Sequence, residues 1–403
     1  MSIPTLKPRL SREVIVLGII AFFVMVGFGV VIPVLPVFVR SFHVGYTEVG
    51  AVVSAFALMR LAVSPFVGKL IDWIGERTIL AIGIGIVAVS SAMVGLAQSY
   101  AEVLVLRGAG GIGSAMFSIS AMTLLLGTTA PSMRGRAVGF YQGGFLIGGM
   151  AGPAIGGVLA VISLRAPFFF YAGTLVIAGA VGLAFLRPVS KHKSEGTADV
   201  APAIPFRVVV FDRRFRAACL ANFASGWASL GVRSALIPLL IVEVLHGPDL
   251  AEPELWTGIA FAVAAVAQTL ALGPAGTFVD KIGRRPAIIG AYALGGVTLV
   301  AMPFVGDIWT LIALLCVYGI AAAFMGTAPA AAVGDAAGRS GQPVAIFSAF
   351  SDFGAVVGPL VAGALVDSLS FPAAFGSAVV LMLAASLYAL RMPRERRHVV
   401  AAA

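Results

Sequence analysis

Long apolar stretches, separated by short polar segments, follow one another along the whole chain. Crossing a bilayer core of ~30 Å takes about 20 residues of helix. Twelve stretches are long enough, near residues 14–38, 49–70, 79–98, 101–126, 137–161, 167–187, 217–243, 256–277, 287–305, 308–332, 343–367 and 371–391. Because backbone polar groups in lipid must be bonded within their own segment, each stretch predicts a transmembrane helix. We therefore predict an all-α membrane protein, with spans numbered one to twelve.

Composition and loop charge indicate the environment and the orientation. Hydrophobic residues make up 60% of the chain, charged residues 11%, and the mean hydropathy is +1.02, which excludes a soluble domain. Of the 27 basic residues, 22 lie in the two terminal segments or in loops on the same side of the membrane as the termini. Only Arg40 and Arg165 lie in loops on the opposite side. The positive-inside rule predicts a multi-pass plasma (inner) membrane protein with both termini cytoplasmic. The basic charge is thus a topology feature, and nucleic acid is not an expected partner.

Landmarks in the first half of the chain recur in the second. The loop after span two returns after span eight at an offset of 208 residues, and glycines of spans two and five recur at offsets of 208 and 206. Parallel repeats of this kind are typical of transporters. They predict an N-terminal six-helix bundle (1–187) and a pseudo-symmetric C-terminal six-helix bundle (217–403). Between the bundles we predict a cytoplasmic linker (188–216), whose residues 204–216 form an amphipathic helix on the membrane surface.

The repeated loop carries the candidate gating residues. Its first glycine permits close helix packing and its second permits a turn of positive φ. Its aspartate can cap a helix or pair with arginine, and such contacts form in one conformation and break in another. Charges that only anchor topology would not need two copies in register. The residues are Gly68, Asp72, Gly75, Arg77, Gly276, Asp280, Gly283, Arg284 and Arg285.

With these loops the chain resembles a major facilitator superfamily transporter, whose loop between spans two and three reads Gly-x-x-x-Asp-Arg-x-Gly-Arg-Arg. The second copy fits this pattern, with Lys281 in the first basic position. The first copy departs from it at Trp73 and Glu76, which stand where basic residues are usual. The resemblance implies two bundles around a midplane site, and a motif that locks the outward-open state, differently wired in the N-terminal half.

Span five carries a second pattern, Gly-x8-Gly-x3-Gly-Pro-x2-Gly-Gly. Glycines four residues apart form a smooth stripe on one helix face, and the proline kinks the helix. The pattern is similar to the antiporter motif of the twelve-span drug:proton exporters, and Arg107-x-x-x-Gly111 in span four resembles another of their signatures. The motif residues are Gly139, Gly148, Gly152, Pro153, Gly156 and Gly157.

Ionisable residues deep in the spans are functional candidates, because each costs about 2.5–3.5 kcal/mol on insertion scales. Asp352 lies ~15 Å into span eleven by helical rise and is the proton-coupling candidate, with a fixed Asp–Arg pair as the structural alternative. The 208-residue offset pairs Arg60 with Gln268. The substrate-binding candidates are Arg60, Arg107, Arg233, Gln268, Tyr141, Gln142 and Asn222.

These features predict a secondary active transporter that exports small amphipathic compounds in exchange for protons, by alternating access. The missing acid in span one and the excess of deep arginines leave open a facilitator or importer of an organic anion. A membrane receptor or lipid-interacting protein without turnover is the third reading. No nucleophile–base pair or phosphate loop points to an enzyme or to ATP. We expect a small-molecule substrate and membrane lipids as partners, the proton gradient as energy source, no metal or other cofactor, and a monomer.

Overall fold

The structure, a computed structural model, describes residues 10–130, 133–186, 206–244, 252–337 and 341–393. Within these ranges no strand occurs, and twelve helices are long and apolar enough to cross a membrane, which confirms the predicted fold class. Spans one to twelve are Arg12–Val31, Tyr46–Ile74, Glu76–Leu96, Tyr100–Gly127, Arg134–Ile162, Ala166–Phe185, Arg213–Glu243, Pro253–Ile282, Arg284–Ala301, Ile308–Ala337, Gly341–Ser368 and Phe371–Ala389.

Span one is shorter than predicted. Its helix ends at Val31 instead of continuing to residue 38, and the separate short helix Leu35–Arg40 follows after a turn. Pro33 lies in this turn and Pro36 in the first turn of the short helix. Proline has no amide hydrogen to donate to the preceding turn, so a continuous helix through both positions would be interrupted.

Span seven begins inside the predicted linker. The Asp212 carboxylate accepts a 2.7 Å hydrogen bond from the Arg214 amide and so caps the N-terminus of span seven. Asp212 therefore separates span seven from the short helix Phe206–Phe211. Where the predicted surface helix at 204–216 is described, the chain forms the short helix Phe206–Phe211 and then the start of span seven, with a break at Asp212. Residues 187–205 lie outside the described ranges, and the placement of this segment on the membrane surface stays a prediction. The middle of span seven, Trp227–Ser234, winds as a π-helix, a form often found at functional sites.

The two bundles repeat the same internal packing. In span four, a Cβ added at Gly111 would lie 3.2 Å from the backbone nitrogen of Arg60 in span two. In span ten, a Cβ added at Gly319 would lie 3.3 Å from the backbone nitrogen of Gln268 in span eight. Both pairs are related by 208 residues, so Arg60 and Gln268 are structural equivalents, as predicted.

The bundles meet where span two packs on span eleven and span five packs on span eight. We call the end of the molecule that carries Arg40 the Arg40 side, and the end where span one begins the Arg12 side. At the Arg40 side the backbones touch: a Cβ at Gly258 would lie 2.6 Å from the Pro153 carbonyl oxygen, and one at Gly50 would overlap the Pro359 carbonyl oxygen.

Toward the Arg12 side the same four helices separate. In span eight the buried residues run from Thr257 to Ala264, and beyond them only Ala275 and Val279 are buried. A Cβ added at Gly143 in span five or Gly276 in span eight would have no neighbour within 4 Å. The described helices therefore enclose a cleft that is closed at the Arg40 side and open at the Arg12 side.

Candidate functional site

Span five presents its glycine stripe to span one. Cβ atoms added at Gly148 and Gly152 would lie 2.6 and 2.7 Å from backbone atoms of span one, and one at Gly156 would overlap a carbonyl oxygen there. This is the close approach that the pattern predicts. Gly157 turns to the other bundle, where an added Cβ would lie 3.0 Å from a backbone carbon of span eight. At the Arg12 end of the helix, Gly139 has no such neighbour within 4 Å.

A cavity of about 450 Å³ opens between spans one, two, four, five and six. Its apolar wall is formed by Val24, Met25, Phe28, Phe56, Phe117, Met122, Phe145 and Tyr171. Its polar groups come from Arg60, Ser114, Ser118, Tyr141 and Gln142. An apolar cavity with a few convergent polar groups is typical of small-molecule sites. The structure thus brings together three predicted substrate-binding residues, Arg60, Tyr141 and Gln142.

Arg60 lies where this cavity reaches the closed interface between the bundles. About one helical turn toward the Arg40 side, Ala57 packs on Val356 of span eleven, whose carbonyl oxygen accepts a 2.6 Å hydrogen bond from Ser54. One turn back along span eleven, the Asp352 carboxylate lies near enough to Arg60 to interact with it electrostatically, although the two form no direct ion pair. Two groups of opposite charge, one from each bundle, therefore interact electrostatically across the interface.

Two further deep arginines do not reach the cavity wall. Arg107 is 8% exposed, and its guanidinium carbon lies 4.5 Å from the centre of the Phe56 ring. Phe56 lines the cavity, whereas Arg107 does not. Arg233 lies inside the second bundle, 5.9 Å from the Phe261 ring and 6.0 Å from the Tyr318 ring. Aromatic faces partly replace the lost hydration of a buried cation. In this conformation both arginines have packing environments, and the structure places neither against the predicted substrate site.

Two polar candidates also lie away from the cavity. Gln268 is half-buried in the second bundle and is not among the lining residues. The Asn222 side chain donates a 2.7 Å hydrogen bond to the Phe347 carbonyl oxygen, which ties span seven to span eleven. In this conformation the Asn222 amide group bonds to the neighbouring helix, and the substrate contact that we predicted for it stays a prediction.

The repeated loops adopt the turn that their glycines predict. Gly75 and Gly283 have φ angles of 90° and 93°, in the region that favours glycine. The close packing predicted at Gly68 and Gly276 is not formed in this conformation, because a Cβ at either position would have no neighbour within 4 Å. Asp72 is exposed and forms no ion pair with a described residue. Among the described residues, Gly68 has no close backbone neighbour and Asp72 no ion-pair partner in the opposite bundle.

The last arginine of each loop makes an equivalent contact within its own bundle. Arg77 donates to the carbonyl oxygen of Leu183, near the end of span six. Arg285 donates a 3.4 Å hydrogen bond to the carbonyl oxygen of Met392, just after span twelve. The Leu183 carbonyl is one of the last four of its helix, which lack intrahelical donors, whereas Met392 lies beyond the end of span twelve at Ala389. Each arginine ties its loop to the C-terminal end of the last helix of its bundle.

The two loops differ in their ion pairs. Arg284 lies 2.8 Å from Asp280 and 2.9 Å from Asp335 of span ten. At the 208-residue offset, Glu76 stands in the place of Arg284 and Gly127 in the place of Asp335. The N-terminal half therefore lacks both the central cation and one of its acids. If the loops are equivalent, an aspartate at 127 would repel the carboxylate of Glu76, so we expect the two positions to be coupled.

We predict that Glu76→Arg and Gly127→Asp together rebuild the missing network. A Cβ at Gly127 has no neighbour within 4 Å, so the side chain has room. The two changes should be coupled by about 0.5–1 kcal/mol. Thermal denaturation of the wild type, both single variants and the double variant measures this coupling. Additive changes in stability would show that the two positions do not meet in the N-terminal half.

At the Arg40 side, polar residues join the two bundles in what we call the interbundle latch: Arg40, Tyr46, Thr47, Glu243 and Asp367. Arg40 donates a 3.0 Å hydrogen bond to Glu243 at the end of span seven, and its guanidinium carbon lies 4.4 Å from the centre of the Tyr46 ring. The Tyr46 hydroxyl donates to the same carboxylate. The hydrogen bond to Glu243 raises the pKa of Arg40, which therefore stays charged.

Asp367 of span eleven caps span two from the opposite bundle. Its carboxylate accepts hydrogen bonds of 2.9 and 2.7 Å from the amides of Tyr46 and Thr47, and one of 2.6 Å from the Thr47 hydroxyl. The first amides of a helix have no intrahelical acceptor, so this carboxylate stabilises the closed Arg40 side. We did not predict the latch, because the partners are up to 321 residues apart. The sequence feature that could have indicated it is the presence of two acidic residues, Glu243 and Asp367, at the ends of apolar spans.

Removing the latch should open the Arg40 side. A cap of this kind contributes about 0.5–2 kcal/mol and an exposed ion pair about 0.2–1 kcal/mol, so Asp367→Ala with Glu243→Gln should shift the conformational equilibrium by about threefold to a hundredfold. Distances between spin labels across the Arg40 side report the shift. Asp307→Ala is the matched control, because Asp307 accepts from the Thr310 amide at 2.8 Å within one bundle. Distance distributions equal to the control's would contradict the assignment.

The sequence matches the family model described as Major Facilitator Superfamily over residues 17–258 and 253–402. The quinolone resistance protein NorA of Staphylococcus aureus (strain COL) is 26% identical over 368 residues, which cover 89% of this chain and 91% of that protein. Multidrug resistance protein 1 of Bacillus subtilis (strain 168) is 31% identical over 171 residues, which cover 42% of this chain and 44% of that protein.

Solved structures share the fold. A bacterial homologue of the human lysosomal transporter Spinster, in an inward-facing and unoccupied conformation, superposes with a TM-score of 0.78 at 16% identity and covers 95% of this chain and 97% of its own. The nucleoside transporter NupG superposes with a TM-score of 0.74 at 14% identity, covering 94% of this chain and 100% of its own. With the twelve spans, the paired loop motifs and the family match over both halves, the chain belongs to the major facilitator superfamily of transporters.

Proposed function

We propose that the protein exports small amphipathic compounds, drugs among them, in exchange for protons. The observation that carries the proposal is an apolar cavity in the N-terminal bundle of a molecule whose interbundle cleft is closed at one side and open at the other. Arg60 lies on the cavity wall and interacts electrostatically with Asp352 of the C-terminal bundle. The resistance functions named for the relatives from Staphylococcus aureus and Bacillus subtilis support this direction of transport. The span-five glycine pattern, packed on span one, adds the resemblance to exporters.

The Arg12 side is the cytoplasmic side in this proposal. The basic loops of the chain cluster there, and the positive-inside rule then orients the protein in the inner membrane with both termini in the cytoplasm. The described conformation is consequently the inward-open state. A compound enters the cleft from the cytoplasm or the inner leaflet, and the interbundle latch blocks its exit until the bundles rock.

The cavity favours amphipathic compounds for a physical reason. Its rings and thioethers offer a large apolar surface that tolerates different shapes, while Arg60, Tyr141 and Gln142 supply hydrogen-bond donors at a few points. Asp352 is the group to which we assign the proton, because its electrostatic interaction with Arg60 links the two bundles and must change when they move. The proton gradient supplies the energy, with no cofactor or metal in the cycle.

Efflux from cells tests the proposal. Cells that express the protein should hold less of a fluorescent quinolone at steady state than cells with an empty vector, and a protonophore should abolish this difference. The result follows from active export driven by the proton gradient. Higher accumulation on expression would support the importer reading instead, and a reduction that survives the protonophore would contradict proton coupling.

A further inference from the structure

A second cavity, of about 530 Å³, lies in the C-terminal bundle and shares no residue with the first. It is formed by spans seven, eleven and twelve together with the short helix Phe206–Phe211. Its wall includes Phe215, Cys219, Phe223, Phe350, Phe353 and Tyr388. Phe353 is 54% exposed, so the cavity is a cleft open to the bundle surface. The transport mechanism above does not use it.

The inside of this cleft is suited to hydrocarbon. From Phe215 to Phe223 the wall extends ~12 Å along span seven by helical rise. The Phe223 and Phe353 rings, 5.9 Å apart, form part of this wall. Arg216 is the one charged residue among those that line the cleft. A polar ligand would find few partners in such an interior, whereas an acyl chain would be buried among rings and aliphatic side chains.

The mouth of the cleft carries cations on two sides. Arg216 of span seven lines it and donates a 2.8 Å hydrogen bond to the Phe211 carbonyl oxygen. Arg391, after span twelve, stacks on the lining residue Tyr388 with its guanidinium carbon 5.6 Å from the ring centre. Neither arginine forms an ion pair with any residue in the described part of the chain. Phe211 is 72% exposed beside this mouth, an apolar surface on the helix that borders it.

We propose that the cleft binds one anionic phospholipid, with an acyl chain among the rings and the phosphate between Arg216 and Arg391. Guanidinium groups bind phosphate oxygens through paired hydrogen bonds. Since neither arginine has an ion-pair partner among the described residues, a headgroup with a net negative charge would balance the two positive charges best. A zwitterionic lipid would leave their charge only partly balanced. The Arg12 side is also the side with the excess of basic loops, which anionic leaflets attract.

Native mass spectrometry of the full-length protein in detergent tests the headgroup. Titrated with phosphatidylglycerol and with phosphatidylcholine of the same chains, the protein should retain one phosphatidylglycerol preferentially. Arg216→Gln with Arg391→Gln should weaken that binding at least fivefold. Arg12→Gln is the matched control, because Arg12 begins span one at the equivalent place and stacks on Phe185 at 5.2 Å. Equal binding of both lipids, or unchanged binding by the double variant, would overturn the proposal.

Because the lipid titration does not measure transport, its failure would leave the export proposal untouched.

Discussion

Asparagine in place of Asp352 should abolish substrate-driven proton movement while leaving substrate exchange intact. The amide keeps the shape of the side chain but cannot take up a proton, and the cavity wall with Arg60 is unchanged. We expect proton flux to fall at least about tenfold, equivalent to roughly 1.4 kcal/mol. A pH-sensitive dye inside proteoliposomes reports the proton, and counterflow of labelled substrate reports exchange.

Glu102→Gln is the control for this experiment. The Glu102 carboxylate accepts a 2.8 Å hydrogen bond from the Gln98 amide at the Arg40-side end of span four. By helical rise it lies ~18 Å from Ser114, the first cavity-lining residue of that span. Its loss should leave proton coupling normal. If Asp352→Asn retains full coupling, Asp352 serves only as an electrostatic partner of Arg60 between the bundles, which is the structural alternative.

Leucine at Gly50 should stop transport by wedging the Arg40 side open. The added Cβ would overlap the Pro359 carbonyl oxygen, and a backbone atom cannot rotate away as a side chain can. Gly363→Leu should act in the same way, because its Cβ would overlap the Tyr46 carbonyl oxygen across the same interface. Since both clashes lie between bundles, each bundle keeps its own packing. We expect transport to fall by at least about tenfold, with spin-label distances fixed at the wide, Arg40-side-open values.

Gly376→Leu tests whether a new leucine in a span is harmful by itself. Gly376 lies in span twelve, and a Cβ there would have no neighbour within 4 Å. This variant should transport normally, and all three proteins should elute as single species on gel filtration. Normal transport by Gly50→Leu would show that the tight contact at the Arg40 side is dispensable for the cycle.

The repeat made much of this architecture predictable. Spans could be located because length and hydropathy alone define a helix that crosses a bilayer. The 208-residue register then gave the equivalence of Arg60 and Gln268, which the packing of Gly111 and Gly319 confirms. The turns at Gly75 and Gly283 followed from local chemistry, since few other residues adopt such positive φ angles.

Other features depend on which face of an apolar helix points inward, and composition does not reveal this. Lipid-facing and buried faces of a span are both apolar, so the hydrophobic pattern carries little information on orientation. Arg107 and Arg233 therefore looked like substrate ligands, whereas their neighbours are aromatic rings within each bundle. The ion pair between Arg40 and Glu243 could not be predicted either. Its partners are 203 residues apart, and the repeat that relates the two halves does not relate these two residues.

The central claim is that outward movement of substrate is coupled to inward movement of protons through one site. Purified protein in proteoliposomes, with an imposed pH gradient and a panel of neutral, anionic and cationic amphiphiles, tests it directly. We predict that a subset of these compounds collapses the gradient only when the protein is present, and that the same compounds are transported against their own gradient. Transport of the compounds with no accompanying proton flux would contradict the claim and identify the protein as a facilitator.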